Sequence, residues 1–177
     1  TVYILLNDLE FKLGCKVFKF ADDTKLVKTV NDLESSFELQ KILDRLIAWA
    51  EKWQMEFNVK KCKVSHIGST NGKFEYEMNG KFLKEVNEEK DLGIIISNDL
   101  KSSKQCLAAC KKANQMLGMI SRNVTYKNKK VIGKLVNSYV RPQLEYCVQA
   151  WSPHFRQDVL MIEKVLRRST REIPSLR

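Results

Sequence analysis

The chain has 177 residues, 44% of them apolar, which is enough for one packed domain or for a small domain with a helical extension. This apolar content excludes a largely disordered chain, and no apolar run approaches the roughly 20 residues that a membrane-spanning helix needs. The net charge of +10 is unevenly placed: residues 1–100 hold 15 Lys and Arg against 17 Asp and Glu, whereas residues 101–177 hold 16 against 4. Such a surplus favours a nucleic-acid partner, because neutralised phosphates release counterions. A solvated basic face is the alternative.

The first pattern along the chain is a pair of short runs, rich in β-branched and aromatic residues, around two adjacent aspartates. The runs are residues 16–20 and 24–28, and Asp22 and Asp23 stand between them. This predicts a hairpin with an acidic tip. The tip is either a solvated turn, since Asp is common in turns, or a site for a hard cation such as Mg2+, which takes oxygen ligands.

A helix is predicted after this hairpin, with Asn31-Asp32 as its cap. Its apolar residues recur at spacings of three and four. They are Leu39, Ile42, Leu43, Leu46, Ala50 and Trp53. Residues 63–67 then predict a strand, Asn79-Gly80 between alternating runs predicts a hairpin, and residues 92–96 predict a further strand.

Helices are predicted from Lys101 onward. Pro142 should end or kink the second of them, and Pro174 should close the third. The three predicted inward stripes are Leu107, Cys110, Ala113, Leu117 and Ile120; then Val131, Leu135, Ser138 and Tyr139; then Val159, Ile162, Val165 and Leu166. Strands followed by helices, with a change of charge between them, predict an α+β fold in two parts, residues 1–100 and 101–177.

Five cysteines form no Cys-x-x-Cys pair and suggest reduced thiols of an intracellular protein. Cys106 and Cys110 share a helix face, and His154 could join them at a zinc ion. The ligands fall short of the usual four and the spacing fits no known finger type, so small buried thiols are the favoured interpretation.

Several short blocks follow one another along nearly the whole chain. They are Asn7-Asp8-Leu9, Phe20-Ala21-Asp22-Asp23-Thr24, Asn58-Val59-Lys60-Lys61-Cys62-Lys63, Asp91-Leu92-Gly93-Ile94, Val140-Arg141-Pro142-Gln143-Leu144-Glu145-Tyr146 and Trp151-Ser152-Pro153. In order and rough spacing these blocks resemble reverse transcriptases of non-LTR retrotransposons, particularly the jockey-like group. The resemblance implies the C-terminal part of a polymerase palm, with antiparallel hairpins packed on a helix, followed by a basic, all-helical, thumb-like subdomain.

The resemblance also implies roles for individual residues. Asp22 and Asp23 match a catalytic acidic motif that binds Mg2+ in a two-metal site, Asp22 as the direct ligand and Asp23 as the auxiliary one. Lys61 matches a lysine suggested to protonate the leaving pyrophosphate, although it is equally interpreted as a surface lysine. Leu92 and Gly93 match the primer-grip hairpin, where a glycine allows close approach of the primer.

A further metal-binding aspartate is expected upstream of Thr1, so the Mg2+ site is expected to be incomplete in this chain. The start at Thr1 rather than at a methionine suggests a fragment or a processed product. The expected function is that of an RNA-directed DNA polymerase fragment, acting in its full-length parent on an RNA template, a DNA primer and deoxynucleoside triphosphates.

The alternative function is that of a non-catalytic nucleic-acid-binding remnant of a decayed mobile element. Both functions imply a protein of the cytoplasm and nucleus without a membrane partner. The basic residues expected to contact phosphates are Lys111, Lys112, Arg122, Arg167 and Arg168.

Overall fold

The computed structural model describes residues 14–21, 23–68, 71–126 and 128–171. The chain divides into two compact units, one up to Asn87 and one from Glu88 onward. Among the described residues, the first unit combines short strands with a long helix and the second is mainly helical, which agrees with the predicted α+β class. The sequence placed the boundary after residue 100, whereas the contacts group residues 88–100 with the helices.

The first unit contains a hairpin, one long helix and several short strands. Strand β1 (Lys16–Phe20) pairs antiparallel with β2 (Asp23–Val27), and helix α1 covers Leu33–Lys52. Asp32 caps α1 as predicted: its carboxylate accepts the Ser35 N–H at 2.8 Å, and this hydrogen bond lowers the pKa of Asp32.

The inward face of α1 follows the predicted stripe, with one exception. Ile42, Leu43, Leu46 and Ala50 are buried. The prediction that Trp53 belongs to that stripe was wrong, because Trp53 caps the end of the helix and is 39% exposed. Val17 and Leu26 of the hairpin pack against the core that α1 helps to form.

Short strand pairs complete the first unit. The strands are β3 (Lys63–Val64), β4 (Glu77–Met78), β5 (Lys81–Phe82) and β6 (Lys84–Glu85). The predicted hairpin at Asn79-Gly80 is confirmed: both residues have positive φ, and β4 pairs antiparallel with β5. The strand predicted over residues 63–67 is shorter in the structure, because β3 ends at Val64. It pairs in parallel with β6.

The second unit begins with a hairpin that packs on its helices. Strand β7 (Glu88–Asp91) pairs antiparallel with β8 (Ile94–Ser97), and helix α2 covers Ser103–Asn123. The Ile95 N–H donates to the Gln105 side chain at 3.0 Å, and Lys104 pairs with Glu88 at 2.7 Å. These contacts are the physical reason why the hairpin belongs with the helices. The predicted strand over residues 92–96 is thus a turn followed by β8.

Helix α2 supplies most of the core of the second unit. Cys110, Ala113, Leu117 and Ile120 are buried as predicted. Leu107 is 58% exposed, so its place in the stripe was wrong, and other α2 side chains, Cys106 and Ala109 among them, fill the core instead.

The next helical segment contains a π-helical turn. Helix α3 (Lys129–Leu135) continues through this turn (Val136–Val140) into α4 (Arg141–Glu145). Pro142 explains this π-helical turn. In a regular α-helix the proline ring would clash with the carbonyl four residues back. The preceding Arg141 N–H instead donates to Val136 O, five residues back.

The predicted inward stripe in this segment was wrong at three of its four positions. Val131, Ser138 and Tyr139 are exposed, whereas Leu135 is half-buried and packs against the core as predicted. Ile132, Val140 and Leu144 are buried, and Val136 packs against them. These four inward residues are spaced exactly four apart. In a regular helix each such step drifts by about 40°, and the π turn corrects that drift.

Two further helices close the second unit, α5 (Val148–Trp151) and α6 (Arg156–Arg171). On α6, Val165 is buried and Ile162 half-buried as predicted, but Val159 and Leu166 are exposed. Asp158 and Ser169 are buried instead. Pro174, predicted to close this helix, lies outside the described residues.

Helices α2 and α6 run in the same direction. Asp158, in the first turn of α6, accepts a 2.6 Å hydrogen bond from the hydroxyl of Ser103, the first residue of α2. Further along both helices, Arg168 donates to Asn114 Oδ1 at 3.0 Å. Asp158 therefore lies near the positive ends of two helix dipoles, which favour its negative charge.

We expect Ser103→Ala to lower the free energy of unfolding by about 1–3 kcal/mol, because it removes a hydrogen bond from a carboxylate that is only 2% exposed. Urea unfolding followed by circular dichroism measures this change. The control is Ser152→Ala, an exposed serine of the same unit. Equal stability of the two variants would contradict a stabilising role for the Ser103–Asp158 contact.

Candidate functional site

The tip of the β1–β2 hairpin carries the predicted acidic pair. Phe20 pairs with Asp23 across the strands, and Ala21 follows β1 with a φ of +53°, the left-handed region that tight hairpins use. Asp23 is exposed as the first residue of β2. Asp22, predicted as the direct metal ligand, lies outside the described residues.

The two faces of this hairpin differ in exposure. Val17 and Leu26 face the core, whereas Phe18 and Phe20 are 55% and 63% exposed. Because side chains alternate along a strand, the cross-strand register places Asp23 on the exposed face with Phe20. The Asp23 carboxylate is therefore open to solvent.

A magnesium site needs several oxygen ligands around one position. Within the described ranges, no three His, Cys, Asp or Glu side chains lie together in a way that could hold a metal ion. Asp23 alone does not meet that requirement. The described residues therefore do not fit a Mg2+ site by themselves, and Mg2+ stays a prediction that depends on Asp22 and on further carboxylates.

The cysteine pair on α2 has the environment of buried thiols. Cys106 and Cys110 are 0% and 3% exposed. Burial raises the pKa of both thiols, and the nearby Asp158 carboxylate raises them further. Raised pKa values keep the thiols protonated near neutral pH, which disfavours metal binding. The ring of His154 instead lies 4.2 Å from that of Phe155.

Lys61 lies in the turn that follows α1. Its N–H donates to Asn58 O at 2.9 Å, and its side chain is exposed. Among the described residues there is no hydrogen bond or ion pair between Lys61 and Asp23. The structure therefore leaves both interpretations of Lys61 open, the pyrophosphate acid and the surface lysine.

Leu92 and Gly93 form the turn between β7 and β8, with φ values of +45° and +90°. The Tyr146 hydroxyl donates to Leu92 O at 3.0 Å. A hydrogen bond with the Cys147 side chain raises the pKa of Tyr146. Sequence reasoning did not select Tyr146 as a site residue, although it ends one of the blocks that carry the resemblance.

The predicted phosphate-binding residues all lie in the second unit, and the five named side chains are exposed. Lys111 and Arg122 are eleven positions apart on α2, a spacing that places them on the same solvent-facing side. Arg168 on α6 contacts α2 by a hydrogen bond to Asn114, and Asn114 lies about one turn after Lys111. Lys112 lies on the flank of that side, and Arg167 on α6 is paired with Glu163 at 3.1 Å.

Among the described helices, none combines the length and the apolar character that crossing a membrane requires. No protein-family profile matches the chain, and no solved structure is significantly similar to it.

One curated protein gives a direct comparison. In an alignment of 158 positions that covers 84% of the chain, the sequence is 28% identical to the RNA-directed DNA polymerase from mobile element jockey of Drosophila melanogaster. The chain spans 17% of that protein's length. The similarity supports the reverse transcriptase origin that the ordered blocks predicted, while the assignment of the units to palm and thumb stays a prediction.

Proposed function

We propose that this chain forms part of the polymerase domain of an RNA-directed DNA polymerase from a non-LTR mobile element. The observation that carries the proposal is the similarity to the jockey polymerase over 84% of the chain. Neither compact unit is that long, so the similarity extends into both. Because the chain spans 17% of the relative, the activity is proposed for a longer protein that contains this chain.

The proposed reaction is nucleotidyl transfer from a deoxynucleoside triphosphate. The 3′ hydroxyl of a DNA primer attacks the α-phosphorus, the bond to pyrophosphate breaks, and an RNA template selects the nucleotide. In this proposal Asp22 and Asp23 are the carboxylates that this chain would contribute to a Mg2+ site completed by further carboxylates, and the ion would supply positive charge beside the phosphate oxygens. Lys61 is proposed as the acid that protonates pyrophosphate.

The second unit is proposed to hold the nucleic acid. Leu92 and Gly93 form a tight turn whose backbone can approach a primer closely. Lys111 and Arg122 share the solvent-facing side of α2, and Arg168 lies beside it. The solvent-facing side of a helix that carries several cations suits the regular spacing of phosphates.

Primer extension on an RNA template tests the polymerase proposal. We expect activity from a longer protein in which an aspartate-bearing strand precedes this chain, and none from the 177-residue chain alone. Asp22→Ala should reduce the activity of the longer protein by more than about a hundredfold, since even groups that only orient metal ligands contribute up to that much. Asp23→Ala should cause a smaller loss.

The matched control is Glu51→Ala, an exposed carboxylate on α1. It should leave extension unchanged. An Asp22→Ala variant as active as the Glu51→Ala variant would refute the catalytic role of Asp22.

The second candidate function is that of a non-catalytic nucleic-acid-binding remnant. The charge of residues 101–177, 16 Lys and Arg against 4 Asp and Glu, favours nucleic-acid binding whether or not catalysis occurs. If neither the 177-residue chain nor the longer protein extends a primer, and RNA binding is still salt-sensitive, the remnant is favoured over the polymerase.

Binding of an RNA–DNA hybrid should depend on salt through the basic side of α2. The double variant Lys111→Ala/Arg122→Ala should reduce the slope of log K against log salt by about 2, because each neutralised phosphate contributes roughly 0.9. Fluorescence anisotropy at several salt concentrations measures the slope. Lys41→Ala, an exposed lysine of the first unit, is the control. An unchanged slope in the double variant would exclude these two residues as phosphate contacts.

A further inference from the structure

The turn at the tip of the β7–β8 hairpin has a demanding backbone. Both Leu92 and Gly93 have positive φ, as a two-residue hairpin turn requires. Glycine adopts such values easily, but leucine has a steric cost there. Leu92 is also 50% exposed, so its side chain gains little from packing. The turn therefore depends on contacts from elsewhere in the unit to keep its shape.

Tyr146 provides such a contact from another part of the chain. Its hydroxyl donates a 3.0 Å hydrogen bond to the Leu92 carbonyl. Its ring lies so close to Gly93 that a Cβ added there would be 3.1 Å from Tyr146 Cε1. Glycine at position 93 is thus favoured twice, by its φ of +90° and by the nearby tyrosine ring.

The backbone of Tyr146 is itself fixed by the core. The Tyr146 N–H donates to Pro142 O at 3.1 Å, and the Tyr146 carbonyl accepts the Trp151 indole N–H at 2.8 Å. Trp151 is only 4% exposed and belongs to the core of the unit. A continuous series of contacts therefore leads from the buried Trp151 through Tyr146 to the Leu92–Gly93 turn.

We infer that Tyr146 is a positioning residue that holds the Leu92–Gly93 turn in the shape that receives the 3′ end of the primer. The primer part of this inference rests on the proposed function. The Tyr146 hydroxyl fixes the Leu92 carbonyl, while the exposed Leu92 side chain stays available to the nucleic acid. Tyr146 acts through the turn and takes no part in the chemical step.

Hydrogen exchange on the 177-residue chain tests the contact without any assumption about function. Tyr146→Phe removes the hydroxyl and keeps the ring. The amides of residues 92–94 should then exchange about fivefold faster, as expected for the loss of one hydrogen bond, while the amides of the α2 core keep their rates. Tyr139→Phe is the control, since Tyr139 is 50% exposed and Tyr146 is 54% exposed. Equal exchange in the two variants would overturn the inference.

Cross-linking tests the primer part with a readout that loss of stability alone does not change. A primer with a photoreactive 3′ terminal base, annealed to an RNA template, should cross-link to residues 88–97. Tyr146→Phe should reduce this yield about fivefold, with total hybrid binding unchanged. Cross-linking elsewhere in the wild-type chain would overturn the primer assignment and leave the exchange result to decide on the Tyr146 contact alone.

A double-mutant cycle tests the contact between the ring and the glycine. Gly93→Ala should lower the urea midpoint, and it should lower it less when Tyr146→Ala has already removed the ring. The remaining effect reports the strain at positive φ. Additive effects of the two substitutions would overturn the close contact between Tyr146 and Gly93.

Discussion

A buried carboxylate determines how the helices of the second unit are arranged. Asp158 is 2% exposed, and the cost of burying its charge has to be offset locally. The Ser103 hydroxyl and the first turns of two parallel helices provide that compensation. Because both helix starts must meet at Asp158, α6 cannot shift along α2 without leaving the charge unpaired. The small side chains of Cys106 and Cys110 on α2 lie near this carboxylate, which raises the pKa of both thiols.

The fixed register has consequences at the surface. With Asp158 beside Ser103, Arg168 falls beside Asn114 and is held next to the solvent-facing side of α2. The same register directs Arg167 toward solvent, where Glu163 already neutralises part of its charge. Two adjacent arginines on α6 are therefore not equivalent: Arg168 is positioned by α2, whereas phosphate would have to compete with Glu163 for Arg167.

Local signals predicted the elements well, whereas the errors come from an irregular helical turn and from a long-range contact. The Asp32 cap and the Asn79-Gly80 turn depend only on neighbouring residues, and both were correct. The stripe through Val131 and Tyr139 was predicted with a regular helical period, whereas the structure has a π turn over Val136–Val140. The buried Asp158 could not be predicted either, since its partner Ser103 is 55 residues away. The site residues Asp23, Lys61 and Gly93 were selected only through the resemblance, because composition and spacing alone favoured turns and surface side chains.

The predicted functional residues are divided between the two compact units. Asp23 and Lys61 belong to the first unit, whereas Leu92, Gly93 and the basic residues belong to the second. Each unit has its own buried cluster, and the Leu92–Gly93 turn is linked to that of the second unit through Tyr146 and Trp151. If the turn receives the primer as proposed, a change in it would alter how nucleic acid is held while the acidic hairpin keeps its own cross-strand pairing. In the proposed polymerase, this separates primer positioning from the carboxylates of the chemical step, and effects on primer affinity and on the rate of chemistry become separable by mutation.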